Sequence, residues 1–353
     1  MFFASLSPSQ FFNATLFHAL CRNNTVITEL TREKLTVVEQ PTLVEDQAGD
    51  LSWQQCASTR VDKDSSFTVV ITTESMNLEK VWQVYQAFSE VAELGDIKLA
   101  ASHRSGVAKI AVSSGEIAGG NDFLDQLSQQ YQLDIALLSS LPDMNKPGIV
   151  LMDMDSTVIQ VECIDEIARL ADIGEQVASV TELAMQGKLD FAESLHKRVA
   201  CLQGIDVSLL QGIRDRLPLM PGLTTLLTEL KARGWILAIA SGGFTYFADY
   251  LKERLSLDYA VSNTLEISNG KLTGKVSGNV VDAAVKAETL ELLMSKYGIE
   301  RQQTITIGDG ANDLTMMNAA NLGVAFHAKP LVRAKADCAV QFGGLDTVLA
   351  YLS

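Results

Sequence analysis

Two aspartates separated by one residue form the part of this chain best suited to chemistry. Asp153-Met154-Asp155-Ser156-Thr157 follows the apolar stretch Gly148–Met152. In an extended backbone Asp153 and Asp155 share one face, and Met154 points to the other. One carboxylate can attack phosphorus directly, and a second can protonate the leaving alkoxide. An isolated Asp-x-Asp is more often a solvated turn, so this interpretation depends on what the rest of the chain supplies.

A second acidic cluster strengthens the interpretation. Gly308-Asp309-Gly310-Ala311-Asn312-Asp313 follows the predicted strand Thr304–Ile307. Magnesium prefers hard oxygen ligands, usually one or two carboxylates with water and phosphate oxygens. Because four carboxylates without a cation would repel one another, we expect Asp153 and Asp309 to converge on Mg²⁺.

Two further features could hold a transferring phosphoryl group. Ser241-Gly242-Gly243 follows the predicted strand Trp235–Ala240, and Lys286 lies on the predicted helix Asp282–Tyr297. In isolation, Ser241 would be interpreted as a helix cap and Lys286 as a surface lysine. Beside two acidic clusters, the hydroxyl and the Gly242 backbone can supply hydrogen-bond donors, and the lysine can supply positive charge.

Predicted strands position these clusters. Strands and helices alternate after residue 148, a pattern that predicts an α/β fold with a doubly wound parallel sheet. Ligands of such sheets bind beyond the carboxyl ends of the strands, where all the polar clusters lie. Residues 163–217 show only helical patterns, and Asn269-Gly270 predicts a β-hairpin.

The region before the α/β part has a different order of elements. Residues 66–139 read as βαββαβ, which predicts a ferredoxin-like α+β module. The predicted elements are strands Phe67–Thr72, Ile97–Ser102, Val107–Ser113 and Asp134–Leu138, with helices Leu78–Val91 and Phe123–Tyr131. Pro142–Gly148 is predicted to be a linker. Residues 1–65 have no assignment beyond the β-rich stretches Thr25–Leu30 and Leu35–Val44.

Taken in order, the motifs at 153–157, 241–243, 286 and 308–313 resemble those of the haloacid-dehalogenase-like phosphatases. More narrowly, residues 148–350 resemble the phosphoserine phosphatase family. The resemblance implies that Asp153 is the nucleophile and Asp155 the acid/base. It implies that Asp153, the backbone carbonyl of Asp155, and Asp309 bind Mg²⁺. It places Asn312 beside the substrate and the metal, and Asp313 just outside the metal ligands.

The same resemblance assigns the helical insertion at about 163–217 as a small cap that carries specificity. Glu162 resembles the residue that binds the substrate ammonium group, and Arg198 the one that binds its carboxylate. Met185 and Phe191 match cap positions near the substrate. Without the resemblance, Glu162 and Arg198 would be interpreted as a surface salt bridge. The implied reaction is hydrolysis of O-phospho-L-serine to L-serine and phosphate, the last step of serine biosynthesis.

The resemblance also suggests a domain plan. Phosphoserine phosphatases of this length resemble the chain in carrying an N-terminal extension, and residues 66–140 look like an ACT-type module. Such modules bind amino acids or pair with another copy, so a homodimer is one expectation. We expect an uncertain segment at 1–65, the ACT-like domain at 66–140 and a phosphatase core at 148–353.

Charge and cysteines limit the partners and the compartment. The formal net charge of −15 disfavours nucleic acid and anionic membranes as partners. The five cysteines are scattered without a C-x-x-C pair, which predicts free thiols and a cytoplasmic location. Two alternatives stay open: a related small-molecule phosphatase or phosphotransferase with the same core, and a non-enzymatic amino-acid sensor.

Overall fold

A computed structural model of the chain describes residues 43–45, 51–53, 67–73, 78–92, 94–102, 105–112, 117, 119–186 and 188–353. The stretch predicted as a strand at Thr25–Leu30, and most of the one at Leu35–Val44, lie outside these residues. Two short strands, β1 (Leu43–Glu45) and β2 (Leu51–Trp53), pair antiparallel. The chain divides into one unit of 1–141, 338–343 and 347–352, and another of 142–337, 344–346 and 353.

The first unit contains the predicted βαββαβ arrangement. Its elements are β3 (Phe67–Thr73), α1 (Leu78–Ser89), β4 (Leu94–Ser102), β5 (Ser105–Val112), α2 (Gly120–Tyr131) and β6 (Asp134–Leu138). The strands form one antiparallel sheet in the order β4-β5-β3-β6. This confirms the ferredoxin-like order of elements. The ACT-like assignment stays a prediction.

The sheet of the first unit is covered by helices with one apolar face. Val81, Val84 and Phe88 of α1 recur at helical spacing and pack with Val69 and Ile71 of β3. The ring of Phe88 also meets that of Phe123 edge to face, with 5.3 Å between centroids. The apolar positions that predicted these elements therefore form the core of this unit.

A buried carboxylate joins distant parts of the first unit. Asp134, which is 2% exposed, accepts backbone N–H bonds from Gln341 (2.6 Å), Phe342 (3.1 Å) and Gly343 (2.8 Å). These donors replace the water that the carboxylate loses on burial. Lys109 likewise donates from Nζ to the Leu352 carbonyl at 2.7 Å, and burial lowers its pKa. Residues 338–343 and 347–352 thus contribute to a unit that is otherwise built from the first part of the chain.

The second unit is the α/β core. Its strands are β7 (Ile149–Met152), β8 (Ile236–Phe244), β9 (Tyr259–Ser268), β10 (Lys271–Ser277), β11 (Thr304–Gly308) and β12 (Leu322–Phe326). They follow the order β10-β9-β8-β7-β11-β12, and every neighbouring pair from β9 to β12 is parallel. β10 pairs antiparallel with β9 through Asn269 and Gly270, whose φ angles are 50° and 74°. The predicted parallel sheet and hairpin are confirmed.

Helices cover the sheet of the second unit, and some of them belong to an insertion described below. They are α3 (Cys163–Leu170), α4 (Gly174–Met185), α5 (Phe191–Cys201), α6 (Val207–Arg214), α7 (Leu223–Lys231), α8 (Thr245–Leu255), α9 (Ala283–Tyr297), α10 (Leu314–Ala319) and α11 (Pro330–Arg333). All four residues of β7 are buried, as expected for a central parallel strand. Leu290 and Leu293 of α9 pack on Ile149 and Leu151 of β7. A further strand, β13 (Cys338–Val340), belongs to the first unit.

Helices α3 to α6 form an insertion between β7 and α7, which we call the cap. The chain enters and leaves the cap through two antiparallel segments. Ile159 bridges Leu219, Gln160 N–H donates to the Pro218 carbonyl at 3.0 Å, and Met220 N–H donates to the Val158 carbonyl at 2.9 Å. Of the helices that the structure describes, none combines the length and the apolar character needed to cross a bilayer.

Candidate active site

The ends of β7, β8 and β11 surround a cavity of about 240 Å³. The predicted site residues that line it are Asp153, Asp155, Glu162, Arg198, Ser241, Gly242, Asp309 and Asn312. The remaining two, Lys286 and Asp313, do not line it but are bonded to each other and, through Lys286, to Asp153. Parallel strands bring their carboxyl ends to one edge of the sheet, which explains why residues so far apart in sequence meet here.

Lys286 is an internal cation next to Asp153. Its Nζ donates to Asp153 Oδ1 at 2.8 Å and to Asp313 Oδ1 at 2.7 Å, and the lysine is 1% exposed. Burial lowers the pKa of Lys286, but the two carboxylates outweigh that effect and raise it above its ordinary value. The side chain is therefore an ammonium that fixes the orientation of the Asp153 carboxylate. Lys286 is not among the residues that line the cavity, and its contact with a phosphoryl group stays a prediction.

The acidic cluster has the composition and spacing of a site for a divalent cation. One carboxylate oxygen each from Asp153, Asp309 and Asp313 lies within 4.8 Å of the other two. Burial and the charges of Asp153 and Asp313 raise the pKa of Asp309 to about 7. Burial and the charge of Asp153 raise that of Asp313 to about 6, although Lys286 opposes the shift. A cation held by these hard oxygen donors would relieve the repulsion, so the residues present fit a metal ion.

Asp155 is a buried carboxyl group in the wall of the cavity. The turn that follows Asp153 returns on itself, since Val158 and Ile159 both donate backbone N–H bonds to the Met154 carbonyl. Asp155 is 9% exposed, and its Oδ1 is buried without a hydrogen-bond partner. Burial, followed by the charges of Glu162 and Asp153, raises the pKa of Asp155 well above its ordinary value. A carboxyl group in this setting can hold a proton and release it towards the cavity.

Glu162 and Arg198 face the cavity from the cap. Glu162 precedes α3, and its Oε1 accepts a bond of 2.8 Å from Ser156 Oγ. Ser156 has a left-handed backbone, with φ 57°, which is uncommon for a residue other than glycine. Arg198 lies in the last turn of α5, and its Nε is buried without a partner. Among the ion pairs between described residues, none joins Glu162 to Arg198.

The phosphate-binding candidates at the end of β8 are closely packed. Ser241 is 1% exposed, and its Oγ accepts the Gly243 N–H at 2.9 Å, which leaves the hydroxyl hydrogen able to donate elsewhere. A Cβ on Gly242 would lie 2.7 Å from Phe191 Cζ. A side chain at 242 would therefore push the ring of the cap residue Phe191 away from the loop.

Several apolar residues that line the cavity were not among the predicted site residues. Ile164, Leu195 and Phe244 complete the wall, and Phe191 lies there as the resemblance implied. Leu195 precedes Arg198 by one helical turn, so helical spacing could have identified it. The predicted position of Met185 cannot be compared, because its side chain is outside the described part of the chain.

Comparisons with known proteins agree with this geometry. Residues 148–321 match the family of haloacid dehalogenase-like hydrolases. The chain is 55% identical over 245 residues to phosphoserine phosphatase of Vibrio cholerae serotype O1, covering 69% of this chain and 74% of that protein. The unliganded crystal structure of a probable phosphoserine phosphatase from Vibrio cholerae has a TM-score of 0.71 and 47% identity, covering 84% of this chain and 88% of that one.

A further solved structure bears on the chemistry of this group. It is a phospho-aspartyl intermediate analogue of phosphoserine phosphatase, with a TM-score of 0.56 and 41% identity, covering 59% of this chain and 100% of that one. The relatives share both the α/β core and a high sequence identity with this protein. The chain therefore belongs to the phosphoserine phosphatase family of the haloacid dehalogenase-like hydrolases.

Proposed function

We propose that the protein hydrolyses O-phospho-L-serine to L-serine and phosphate, through an aspartyl-phosphate formed on Asp153 and with Mg²⁺ as cofactor. The observation that carries this proposal is the unpaired, buried Nε of Arg198 in the same cavity as Asp153 and Asp155. A buried donor without a partner favours an anionic group of the ligand beside it. With Glu162 on the same wall, the cavity offers complementary charges for both ends of an amino acid.

The proposed metal ligands are Asp153, the backbone carbonyl of Asp155, and Asp309, with Asp313 beside them. When bound, Mg²⁺ would neutralise negative charge on the phosphate oxygens. The acidic cluster fits this composition, as described above, because its members are hard oxygen donors whose mutual repulsion a cation would relieve.

The protein's own residues would act in two steps. A carboxylate oxygen of Asp153 attacks phosphorus, the P–O bond to the seryl oxygen breaks, and Asp155 gives its proton to that oxygen. Asp155 then accepts a proton from water as the water attacks phosphorus and releases phosphate from Asp153. The Ser241 hydroxyl, the Gly242 backbone and Asn312 would hold the phosphoryl oxygens through both steps.

A phosphate-release assay tests this proposal. With Mg²⁺ present, kcat/KM should be highest for phosphoserine among phosphoserine, phosphothreonine and sugar phosphates. Acid quenching of a reaction with labelled phosphoserine should leave phosphate on the wild-type chain and none on Asp153→Asn. Similar kcat/KM values for all these substrates would favour the broader phosphatase instead, and labelling of Asp153→Asn would exclude Asp153 as the nucleophile.

The proposal also covers the domain organisation of the chain, its oligomeric state and its location in the cell. We propose domains at 66–140 and 148–353, the first an ACT-like module that pairs two copies of the chain. Sedimentation of the full chain should give a dimer, and a monomer at all concentrations would refute the pairing. We further propose a cytoplasmic enzyme of serine biosynthesis, supported by Cys163 and Cys201, which are thiols outside any disulfide. Fractionation of cells that express the chain tests this location.

A further inference from the structure

Asn263, a residue of β9 that does not line the cavity, lies between two parts of the candidate site. It is 2% exposed and pairs across the sheet with Phe244 of β8. The neighbouring pair is Ala240 with Val261, so β8 carries two more residues than β9 over this stretch. The extra residues belong to Ser241-Gly242-Gly243, which leave the regular ladder as a bulge.

A bulge removes backbone groups from their usual partners in the sheet. The carbonyl of Gly242 is such a group, and Asn263 Nδ2 donates to it at 2.8 Å. The side chain of Asn263 thus takes the place of the missing strand–strand bond. It holds the peptide that joins Gly242 to Gly243, two residues that line the cavity.

The other end of the same amide reaches a second element. Asn263 Oδ1 accepts the buried backbone N–H of Val281 at 2.8 Å. Val281 precedes Asp282, whose carboxylate caps α9 by accepting the N–H groups of Ala284 and Val285. Lys286 lies one residue further on. One planar amide therefore spans the loop at 241–243 and the start of the helix that carries Lys286.

The chemistry of the two partners specifies asparagine. One partner is a carbonyl that needs a donor, and the other is an N–H that needs an acceptor. A single amide provides both in one rigid plane, whereas an ionised aspartate only accepts and an aliphatic residue does neither. The bond from Val281 is buried and the bond to Gly242 is part-buried, so water has limited access to replace them.

We propose that Asn263 is a positioning residue for phosphate binding and transfer, which holds the Ser241–Gly242 loop in register with the Lys286–Asp153 pair. This inference rests on the proposed function, in which Ser241 and Gly242 donate hydrogen bonds to the phosphate oxygens. Small displacements of groups that hold a reacting centre cost up to about 100-fold in rate. Loss of the amide should therefore affect kinetics as well as folding.

The test compares Asn263→Ala and Asn263→Ser with a matched control. Ser keeps a hydroxyl that is too short to reach both partners. The control is Thr304→Val at the start of β11, at the opposite end of the sheet from the cavity. Thr304 is also fully buried, and its Oγ1 makes two bonds, to the Arg301 carbonyl and from the Asn321 N–H. Each variant is assayed at a temperature at which its circular dichroism is that of the folded protein.

The readouts are Tm, kcat/KM for phosphoserine and for p-nitrophenyl phosphate, and Ki for inorganic phosphate. Both Asn263 variants should lose on the order of 10- to 100-fold in kcat/KM on both substrates and bind phosphate more weakly. Thr304→Val should lower Tm with kcat/KM and Ki unchanged. If either Asn263 variant folds and its kcat/KM and Ki are unchanged from wild type, the proposal is overturned. A wild-type enzyme inactive on phosphoserine would refute the proposed substrate alone, because p-nitrophenyl phosphate and phosphate still report on Asn263.

Discussion

The sharpest prediction concerns Arg198, because the proposed function requires this side chain to distinguish phosphoserine from phosphate esters in general. The change is Arg198→Ala, compared with Arg198→Lys and with Lys197→Ala. Lys197 is an exposed neighbour on the same helix, so its removal changes the net charge equally without touching the cavity. The cavity wall, by contrast, includes Arg198.

The expected magnitude follows from the surroundings of Arg198. Removing one partner of a buried, hydrogen-bonded charge pair costs about 2–5 kcal/mol. Arg198 is half-buried, with its Nε fully buried, so the lower part of this range applies. A loss of about 2–3 kcal/mol corresponds to a decrease of roughly 30- to 150-fold in kcat/KM for phosphoserine. Lysine should recover little of this loss, since an ammonium cannot form the two parallel bonds of a guanidinium.

The assay measures kcat/KM for phosphoserine and for p-nitrophenyl phosphate in every variant. The second substrate has neither an ammonium nor a carboxylate, so Arg198→Ala should change its kcat/KM much less. Glu162→Gln should show the same selectivity, and Lys197→Ala should leave both values near wild type. Equal losses on the two substrates in Arg198→Ala would mean that Arg198 serves the fold or the chemistry and does not recognise the carboxylate.

Four other predictions follow from the geometry. Asp155→Asn should lose roughly 10²–10⁴-fold in kcat yet keep its affinity for Mg²⁺ by calorimetry, and a near-normal rate would exclude it as the acid/base. Chelation should abolish activity, and Ca²⁺ should restore little because its flexible coordination can engage a second oxygen of Asp153; full activity in Ca²⁺ would contradict this. Lys286→Met should lower the free energy of unfolding in urea by about 3–5 kcal/mol, since buried carboxylates lose their cation; an unchanged midpoint would refute the pairing. Asp134→Ala should speed hydrogen exchange at the amides of residues 341–343, with phosphatase activity as the control, and unchanged protection would show that these amides do not need Asp134.

Local patterns in the sequence predicted most of the elements that position the site. β6 spans Asp134–Leu138 as predicted, and the Asn269-Gly270 turn lies where two positive φ angles are required. The strand ends meet because parallel sheets of this kind place their carboxyl ends together. The resemblance to a known family then supplied roles for Glu162 and Arg198, which periodicity alone could not have done.

The features that sequence patterns did not predict depend on contacts between distant residues. From the sequence alone, Lys286 would be interpreted as a surface lysine of its helix. Only the fold shows that it is 1% exposed and lies between two carboxylates. Sequence patterns also failed to predict that residues 338–343 and 347–352 belong to the first unit. Alternation and helical spacing describe a segment by itself and carry no information about which other segment it will contact.

The contacts of Asp134 have a consequence for the order of events on the ribosome. Its partners at 341–343 are synthesised 207 to 209 residues later. The N-terminal sheet therefore leaves the exit tunnel well before the peptide groups that satisfy its buried carboxylate exist. At about 5–20 residues per second, this interval lasts on the order of 10–40 s. We expect the first unit to mature only after translation has passed residue 343.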